Sequence, residues 1–441
     1  MKKSLKFLSL LILLAICTLM FASCGSDDGS EEENEPKYDG ETVTINVFNW
    51  GEYISDGFEG SLDTNAAFEE YYLQKFGVKV KVNYSTYETN EDMYSKLKSG
   101  AGSYDIVIPS DYMIDKMIKE DMLIPFDATS IENYVNISDE FKGDNCYYDP
   151  ENLYSVPYTY GMLGVIYNEQ LVDPEDVEAE SWGLLWNEKY RGKILQFNNP
   201  RDAFGSAMYY TGIDVNSTDK ADWDKALLKL VEQKPLIQAY VNDEIFNKMT
   251  TASAAIAPYF AGDFITMAAD NEDLRFYYPK EGSNLFVDAM CIPKSSKHPE
   301  IAKEYINFML SPEPAIANAI YIGYASPNKV VVESEEYAEA MEELTEGAMD
   351  ILYGKTSDEV NAAYNSKFET ACYKSFSPEI QEHVNVLWES LKTENSTEIW
   401  VHVTTVIIVA SVLSLAIYTV VIKKIRSKDY RLRDKMKKKS K

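Results

Sequence analysis

Four stretches of the chain set flat rings beside carboxylates. Trp50, Glu52 and Tyr53 follow one apolar run, and Ser110, Asp111 and Tyr112 follow another. Tyr259, Phe260 and Asp263 follow a third, and Phe286 and Asp288 lie two apart within a fourth. A ring face attracts an organic cation through its quadrupole, and a carboxylate does so through its full charge. Taken alone, Phe48 to Tyr53 reads more simply as a core Trp and a solvated Glu at a strand–loop junction. The recurrence of the pattern is what speaks for a site. Enzyme chemistry has less to work with. The chain has three His, of which His298 precedes Pro299, His383 sits in an acidic stretch and His402 lies in an apolar run. There is no Gly-x-Ser-x-Gly, no phosphate loop and no clustered metal ligands. A carboxylate pair of the glycosidase kind is the enzymatic alternative.

Each cluster has an element to hold it. Val43, Ile45 and Val47 alternate with Thr44 and Asn46, which predicts a strand running into Trp50. A helix is expected over 62–76, closed by Gly77, then a strand through Val78, Val80 and Val82, then a helix capped by Asn90. Tyr104 to Pro109 reads as a buried strand that turns at Ser110 into another helix. Strand, helix, strand, helix, strand predicts a mostly parallel sheet, and in such sheets ligands bind at the carboxyl ends of the strands. Further on, Gly161–Tyr167 and Ala254–Ala257 are strand-like, and Trp182 and Trp186 belong to a capped helix with both rings inward. A helix opens at Asn199-Pro200-Arg201-Asp202, and another covers 221–234. In the strand from Leu285 to Met290, Phe286 and Asp288 share a face.

The 441 residues allow two or more domains. Net charge is −29, but the basic tail 423–441 carries +9 and the first 23 residues +3, so the middle carries −41. That field repels nucleic acid and attracts cations. Five scattered Cys give no disulfide framework and no zinc spacing, although one pair among Cys146, Cys291 and Cys372 is open. No cofactor or metal is expected. Residues 1–24 read as a secretory signal, and Cys24 after Ala22-Ser23 resembles a bacterial lipoprotein signal with Cys24 lipidated; ordinary cleavage nearby or an uncleaved anchor is the alternative. Residues 25–41 are an acidic tether. Val401 to Ile422 lacks Asp, Glu, Lys and Arg and as a helix would span ~33 Å, a transmembrane segment (400–422 with Trp400 at its edge). The basic tail 423–441 would then be cytoplasmic and residues 25–400 outside the cell membrane, extracellular or periplasmic.

Asn49-Trp50-Gly51-Glu52-Tyr53, Asp105 to Ser110, Tyr154 to Tyr158, Ser181-Trp182 through Gly192-Lys193, Pro279-Lys280-Glu281-Gly282, Ile306 to Leu310 and Gly323-Tyr324 resemble, in order and spacing, the spermidine/putrescine-binding proteins of bacterial polyamine ABC importers. The resemblance covers residues 42–392. It implies an α/β, two-lobed periplasmic-binding-protein fold of type II, with lobe 1 from 42–157 and 287–329 and lobe 2 from 158–286 and 330–395. It implies a polyamine ligand between lobes that close by a hinge, and as partners an ABC permease with a cytoplasmic ATPase. By the same resemblance the ligand-binding residues are Trp50, Glu52, Tyr53, Ser110, Tyr112, Asp202, Phe260, Asp263, Phe286, Asp288 and Tyr324. Phe260 and Phe286 stand where the family has Trp, Gly51 where Thr is common, and Asn199 where spermidine binders carry Asp. Lys374 aligns with a ligand-contacting Gln, where a cation would repel a second amine.

The expected mechanism is electrostatic. Alkyl amines have pKa values near ~10.4 and are cationic outside the cell. Buried ammonium groups need paired, hydrogen-bonded partners, for which Asp288, Asp263, Asp202 and Glu52 are the candidates. Rivals are a membrane-fixed receptor that reports solute without transport, and a binding protein for another small organic cation.

Overall fold

A computed structural model of the chain describes residues 40–353 and 372–393. Among the described residues nine strands form two half-sheets that share their central strand, β4: β1 (Val43–Trp50), β2 (Val80–Tyr87), β3 (Ile106–Val107), β4 (Ser155–Asn168), β5 (Ile194–Phe197), β6 (Ile237–Val241), β7 (Ile256–Phe260), β8 (Leu274–Tyr277) and β9 (Leu285–Cys291). Their spatial order is β2-β1-β3-β9-β4-β7-β5-β6, with β8 also on β4. The amino-terminal half of β4 pairs with β9, and its carboxyl-terminal half pairs with β7 and β8. Strand β4 therefore runs from one α/β lobe into the other. Its register with β9 shifts between Pro157 and Thr159. Proline cannot donate to a ladder, and a bulge bends a strand, so the irregularity falls at Pro157, within the half of β4 that pairs with β9 and before the change of partner at Met162 and Leu163.

The expectation of mostly parallel sheets needs correction. Strand β1 is parallel to β2 and β3, and β5 to β6 and β7, but β3–β9, β4–β9, β4–β7 and β4–β8 are antiparallel. The outer strands follow the alternating strand–helix pattern. The two central ones do not, because β9 runs antiparallel to both of its neighbours, β3 and β4, and β4 runs antiparallel to β7 and β8 as well.

Helices of the two lobes include α1 (Thr64–Phe76), α2 (Asn90–Ser99), α3 (Asp111–Lys119), α4 (Pro200–Thr211), α5 (Lys220–Gln233), α6 (Ala261–Asp270) and α7 (Pro378–Thr393), of which α2, α3, α4 and α6 begin at the cleft. Helix α1 is capped by the Asp63 side chain and ends on Gly77 at φ 66°. Helix α2 is capped by Thr89 rather than by Asn90 as expected. Thr89 is extended and its hydroxyl reaches the amide of Asp92 at 3.1 Å, which leaves the Asn90 amide for other work. The strand expected at 254–257 lies two residues later, ending at Phe260. The Trp182 turn is a single 3-10 stretch, Trp182–Trp186, with Trp182 fully buried and Trp186 half-buried against Tyr210. Cys146, Cys291 and Cys372 are free thiols.

Among the described residues no helix is long and apolar enough to cross a membrane. The apolar run 401–422, the basic tail, the signal region with Cys24 and most of the acidic tether lie outside the described residues.

Candidate ligand-binding cleft

Carboxyl ends of strands from both lobes meet in one cleft enclosing about 990 Å³ of space between atoms, part of it open to solvent. All eleven residues singled out from the sequence line it. The first lobe sends in the turn after β1. Glu52 adopts φ 49° there, so the chain reverses sharply after Gly51, with Glu52 exposed at the mouth and Tyr53 buried inside. Trp50 is fixed by its indole N–H, which donates to the Ile108 carbonyl at 2.9 Å, and by the Tyr87 ring at 4.6 Å.

The turn after β3 is tied to the turn after β2. The Asn90 side chain donates to Ser110 Oγ at 3.0 Å and to Tyr112 Oη at 3.1 Å, while its oxygen accepts from the Ser110 amide at 3.2 Å. Ser110 occupies the cap position of α3 but makes no side-chain cap bond. Its hydroxyl is turned into the cleft, where it helps hold the Asp288 carboxyl down. Tyr112 donates to Glu91 Oε1 at 3.2 Å.

From the shared strands comes Asp288, 4% exposed, which accepts from the Tyr53 hydroxyl at 2.7 Å through Oδ2. Its Oδ1 has no partner among the described residues. Burial pushes its carboxyl up to about 6, against the pull of the Ser110 and Tyr53 hydroxyls. Phe286, on the same face, meets Phe260 at 5.3 Å in an edge-on contact and Tyr324 at 6.0 Å.

The second lobe supplies Asp263 from the first turn of α6. Tyr324 donates to its Oδ2 at 2.8 Å. The Tyr324 ring lies directly on Gly262, where any Cβ would collide with it. The run Phe260-Ala261-Gly262-Asp263 thus sets a ring, a bare backbone patch and a carboxylate in sequence. Burial pushes the Asp263 carboxyl up to about 8, with Asp243 and Glu52 adding to the rise. Asp202, on the first turn of α4, is bound at Oδ2 by Asn199 Nδ2 at 2.8 Å, and its amide is capped by Asn199 Oδ1 at 2.9 Å. Its carboxyl rises to about 6 by burial, countered by Asn199, Arg201 and Tyr373.

Several cleft residues escaped the sequence reading. Glu91 stands at the carboxyl end of β2, the same kind of position that drew notice after β1 and β3, so the signal was present. Asp111, 1% exposed with Oδ2 unpartnered among the described residues, was noted in its turn but not assigned to the site. Burial pushes it up to about 8. Arg201, Asp243 and Tyr373 had no local mark. Lys374 is a correction: it is exposed and does not line the cleft, because its neighbour Tyr373 takes the inward place. Among the described residues the cleft wall thus has eight carboxylates and one guanidinium, that of Arg201. Among the described residues no three His, Cys, Asp or Glu side chains gather as a metal ion would need. Carboxyl groups and rings line the cleft together.

Residues 66–345 match the family described as bacterial extracellular solute-binding protein. Over 286 residues the chain is 33% identical to the spermidine/putrescine-binding periplasmic protein of Escherichia coli (strain K12), a match covering 65% of this chain and 78% of that protein. The fold is similar to a solved structure of a putative spermidine/putrescine ABC transporter from Listeria monocytogenes, with TM-score 0.67, 33% identity and coverage of 79% of this chain and 99% of that one. It is also similar to the spermidine/putrescine ABC transporter substrate-binding protein of Streptococcus pneumoniae, with TM-score 0.59, 34% identity and coverage of 79% and 98%.

Proposed function

The chain belongs to the bacterial extracellular solute-binding proteins, and from that membership and its cleft we propose that it captures a protonated linear polyamine between its lobes and delivers it to an ABC importer. The observation that carries this reading is the distribution of charge. Among the described residues, eight carboxylates and one guanidinium line a cleft walled by Trp50, Tyr53, Tyr112, Phe260, Phe286 and Tyr324. A compact metal ion calls for ligands gathered at one point. An elongated cation with methylenes between its charges calls for carboxylates spread out between apolar walls. The names of the relatives above agree with the second. In this reading Asp288, Asp263, Asp202 and Glu52 pair with ammonium groups, Ser110 helps hold Asp288 ionised, and the six rings enclose the chain of carbons. Each good ring–cation contact adds ~0.5–2 kcal/mol.

We place lobe 1 at 42–157 and 287–329 and lobe 2 at 158–286 and 330–395, so that β4 and β9 form the hinge. The partners are a permease and its cytoplasmic ATPase. The amino-terminal signal with Cys24 and the apolar segment 400–422 support a protein held at the membrane with its lobes outside. The C-terminal segment also sustains the receptor reading, in which bound solute is reported rather than transported. A carboxylate-pair hydrolase draws no support from a family of solute-binding proteins.

Calorimetric titration of the purified full-length protein with putrescine and with spermidine tests the proposal. Binding of at least one at micromolar affinity, about −8 kcal/mol, is expected. Flat titrations with both, on protein that melts cooperatively, would end the polyamine reading.

A further inference from the structure

The Asp202 end of the cleft is closed by chemistry that bears on ligand length. Arg201 is 4% exposed. Its guanidinium lies 4.2 Å from the centre of the Tyr373 ring, 3.9 Å from that of Phe376 and 5.3 Å from that of Tyr112. One nitrogen donates to Asn216 Oδ1 at 3.3 Å, while Nη1 has no hydrogen-bond partner among the described residues. A guanidinium does not lose its proton in a protein, so this end carries a fixed positive charge.

Tyr373 is no loose side chain. It sits on the segment 372–377 that leads into α7, and that segment is fastened on both sides. On the second lobe, Asn216 accepts from the Lys374 amide at 2.7 Å and donates to the Cys372 carbonyl at 3.3 Å. On the first lobe, Tyr147 donates to the Tyr373 carbonyl, Ser375 donates to Asp115, and Lys119 donates to Ser375 Oγ at 3.1 Å. The Tyr373 hydroxyl rests against Gly205, where any Cβ would overlap it. A pinned backbone, a ring seated on a glycine and a stacked guanidinium together make a rigid wall.

We infer that Arg201 and Tyr373 form a built stop at the Asp202 end, and that the cleft takes a linear diamine in preference to a triamine. The inference rests on the polyamine reading above and names its substrate class. A diamine finds Asp263 and Asp288 beside the ring cluster, with Asp111 near Asp288. The third ammonium of a triamine reaching Asp202 would have to share that carboxylate with the resident Arg201 guanidinium, which weakens the pairing it gains there. There Asp202 already holds the Asn199 amide and lies in the field of Arg201. The unpartnered Nη1 raises one other ligand class, an ω-amino acid with its carboxylate on Arg201. Asp202 and Glu91 on the same wall repel that carboxylate, which is why the diamine is preferred.

The test is calorimetric titration of the full-length protein with 1,3-diaminopropane, putrescine, cadaverine, spermidine and 4-aminobutyrate. The expected result is a diamine bound at least about tenfold tighter than spermidine, with 4-aminobutyrate weaker than either. Tyr373→Ala and Arg201→Gln should each narrow the diamine-to-spermidine ratio by about fivefold or more, with the melting temperature recording whether each variant folds. Equal affinities for diamines and spermidine in the wild type, or an unchanged ratio in a folded variant, overturns the stop while leaving polyamine binding intact. If no amine binds, or only 4-aminobutyrate does, the polyamine reading itself falls. The wild-type series decides even if neither variant folds.

Discussion

The Tyr53 hydroxyl donates to Asp288 Oδ2 at 2.7 Å, joining two residues 235 positions apart in sequence. The same hydroxyl is bonded to Thr159 on the shared strand β4. The turn after β1 and the paired strands β4 and β9 are thereby locked together at the cleft. The second oxygen of Asp288 has no hydrogen-bond partner among the described residues. Replacing it with Ala removes the one buried carboxylate that both shared strands and the first ligand turn support. A loss of at least about tenfold in putrescine affinity is expected, about 1.4 kcal/mol. Tyr53→Phe keeps the ring and should cost less, since Ser110 still acts on Asp288. Titration of both variants checks the order; an Asp288→Ala protein with wild-type affinity would take that residue out of the site.

Gly262 makes the matching arrangement on the other lobe. A Gly262→Ala change puts a methyl group where the Tyr324 ring now lies, and the ring cannot keep both its place and its 2.8 Å bond to Asp263. The expected outcome is a fall in affinity of roughly tenfold with little change in far-ultraviolet circular dichroism, because Ala is at home in the first turn of a helix. A larger loss from Tyr324→Phe than from Gly262→Ala would show that the hydroxyl matters more than the ring position.

The mouth of the cleft constrains position 51. A Cβ on Gly51 would stand 2.6 Å from Asp243 Oδ2 on the opposite lobe. Gly51→Thr should therefore hold the lobes apart. Scattering of the ligand-bound variant should report a larger radius of gyration than the ligand-bound wild type. Identical radii would mean that Asp243 yields at no cost.

Acidity should govern both stability and binding. Burial raises the carboxyls of Asp263 and Asp111 to about 8 and those of Asp288 and Asp202 to about 6. An unfolded Asp titrates near ~3.9, so the native state binds more protons than the unfolded chain between about pH 4 and about pH 8. The stabilisation from these groups is complete below about pH 4 and is lost as pH rises through about 6 and then about 8. The ligand-free melting temperature should fall over that interval. A bound ammonium favours the ionised carboxylates, so ligand entry releases protons and affinity climbs toward about pH 8. Titrations at about pH 7 in phosphate and in Tris should give different heats, in proportion to the protons released; equal heats would refute the linkage.

Away from the cleft, Trp182 is 1% exposed and its indole N–H donates to the Gly282 carbonyl at 2.8 Å. Trp182→Ala should lower unfolding free energy by ~3–5 kcal/mol, read from urea denaturation. A change below about 1 kcal/mol would mean the cavity collapses fully.

Much of the site was legible because its parts are local. Trp50 with Glu52, Phe260 with Asp263, and Phe286 with Asp288 each pair a ring and a carboxylate within a few residues, at a strand end or on one strand face, and period-two alternation locates the strands. Helix starts were legible to within two residues, since capping is a short-range hydrogen bond: the helix expected from Leu62 begins at Thr64, and the misplaced cap fell on Thr89, the neighbour of Asn90. The parallel outer strands followed from the strand–helix alternation. The antiparallel pair β4–β9 did not, because pairing between residues more than a hundred positions apart leaves no periodic mark on either segment.

The sequence by itself determined which residue types stand at the strand ends, and hence that carboxylates and rings are available there side by side. Only the tertiary structure decided which charges share a cavity, that Tyr373 rather than Lys374 faces inward, and that Arg201 is the cation in the wall. Burial and the seating of one side chain against another, as Tyr324 on Gly262 and Tyr373 on Gly205, arise from contacts between distant segments. Those contacts set pKa values and shape, and neither is a property of any stretch of chain read alone.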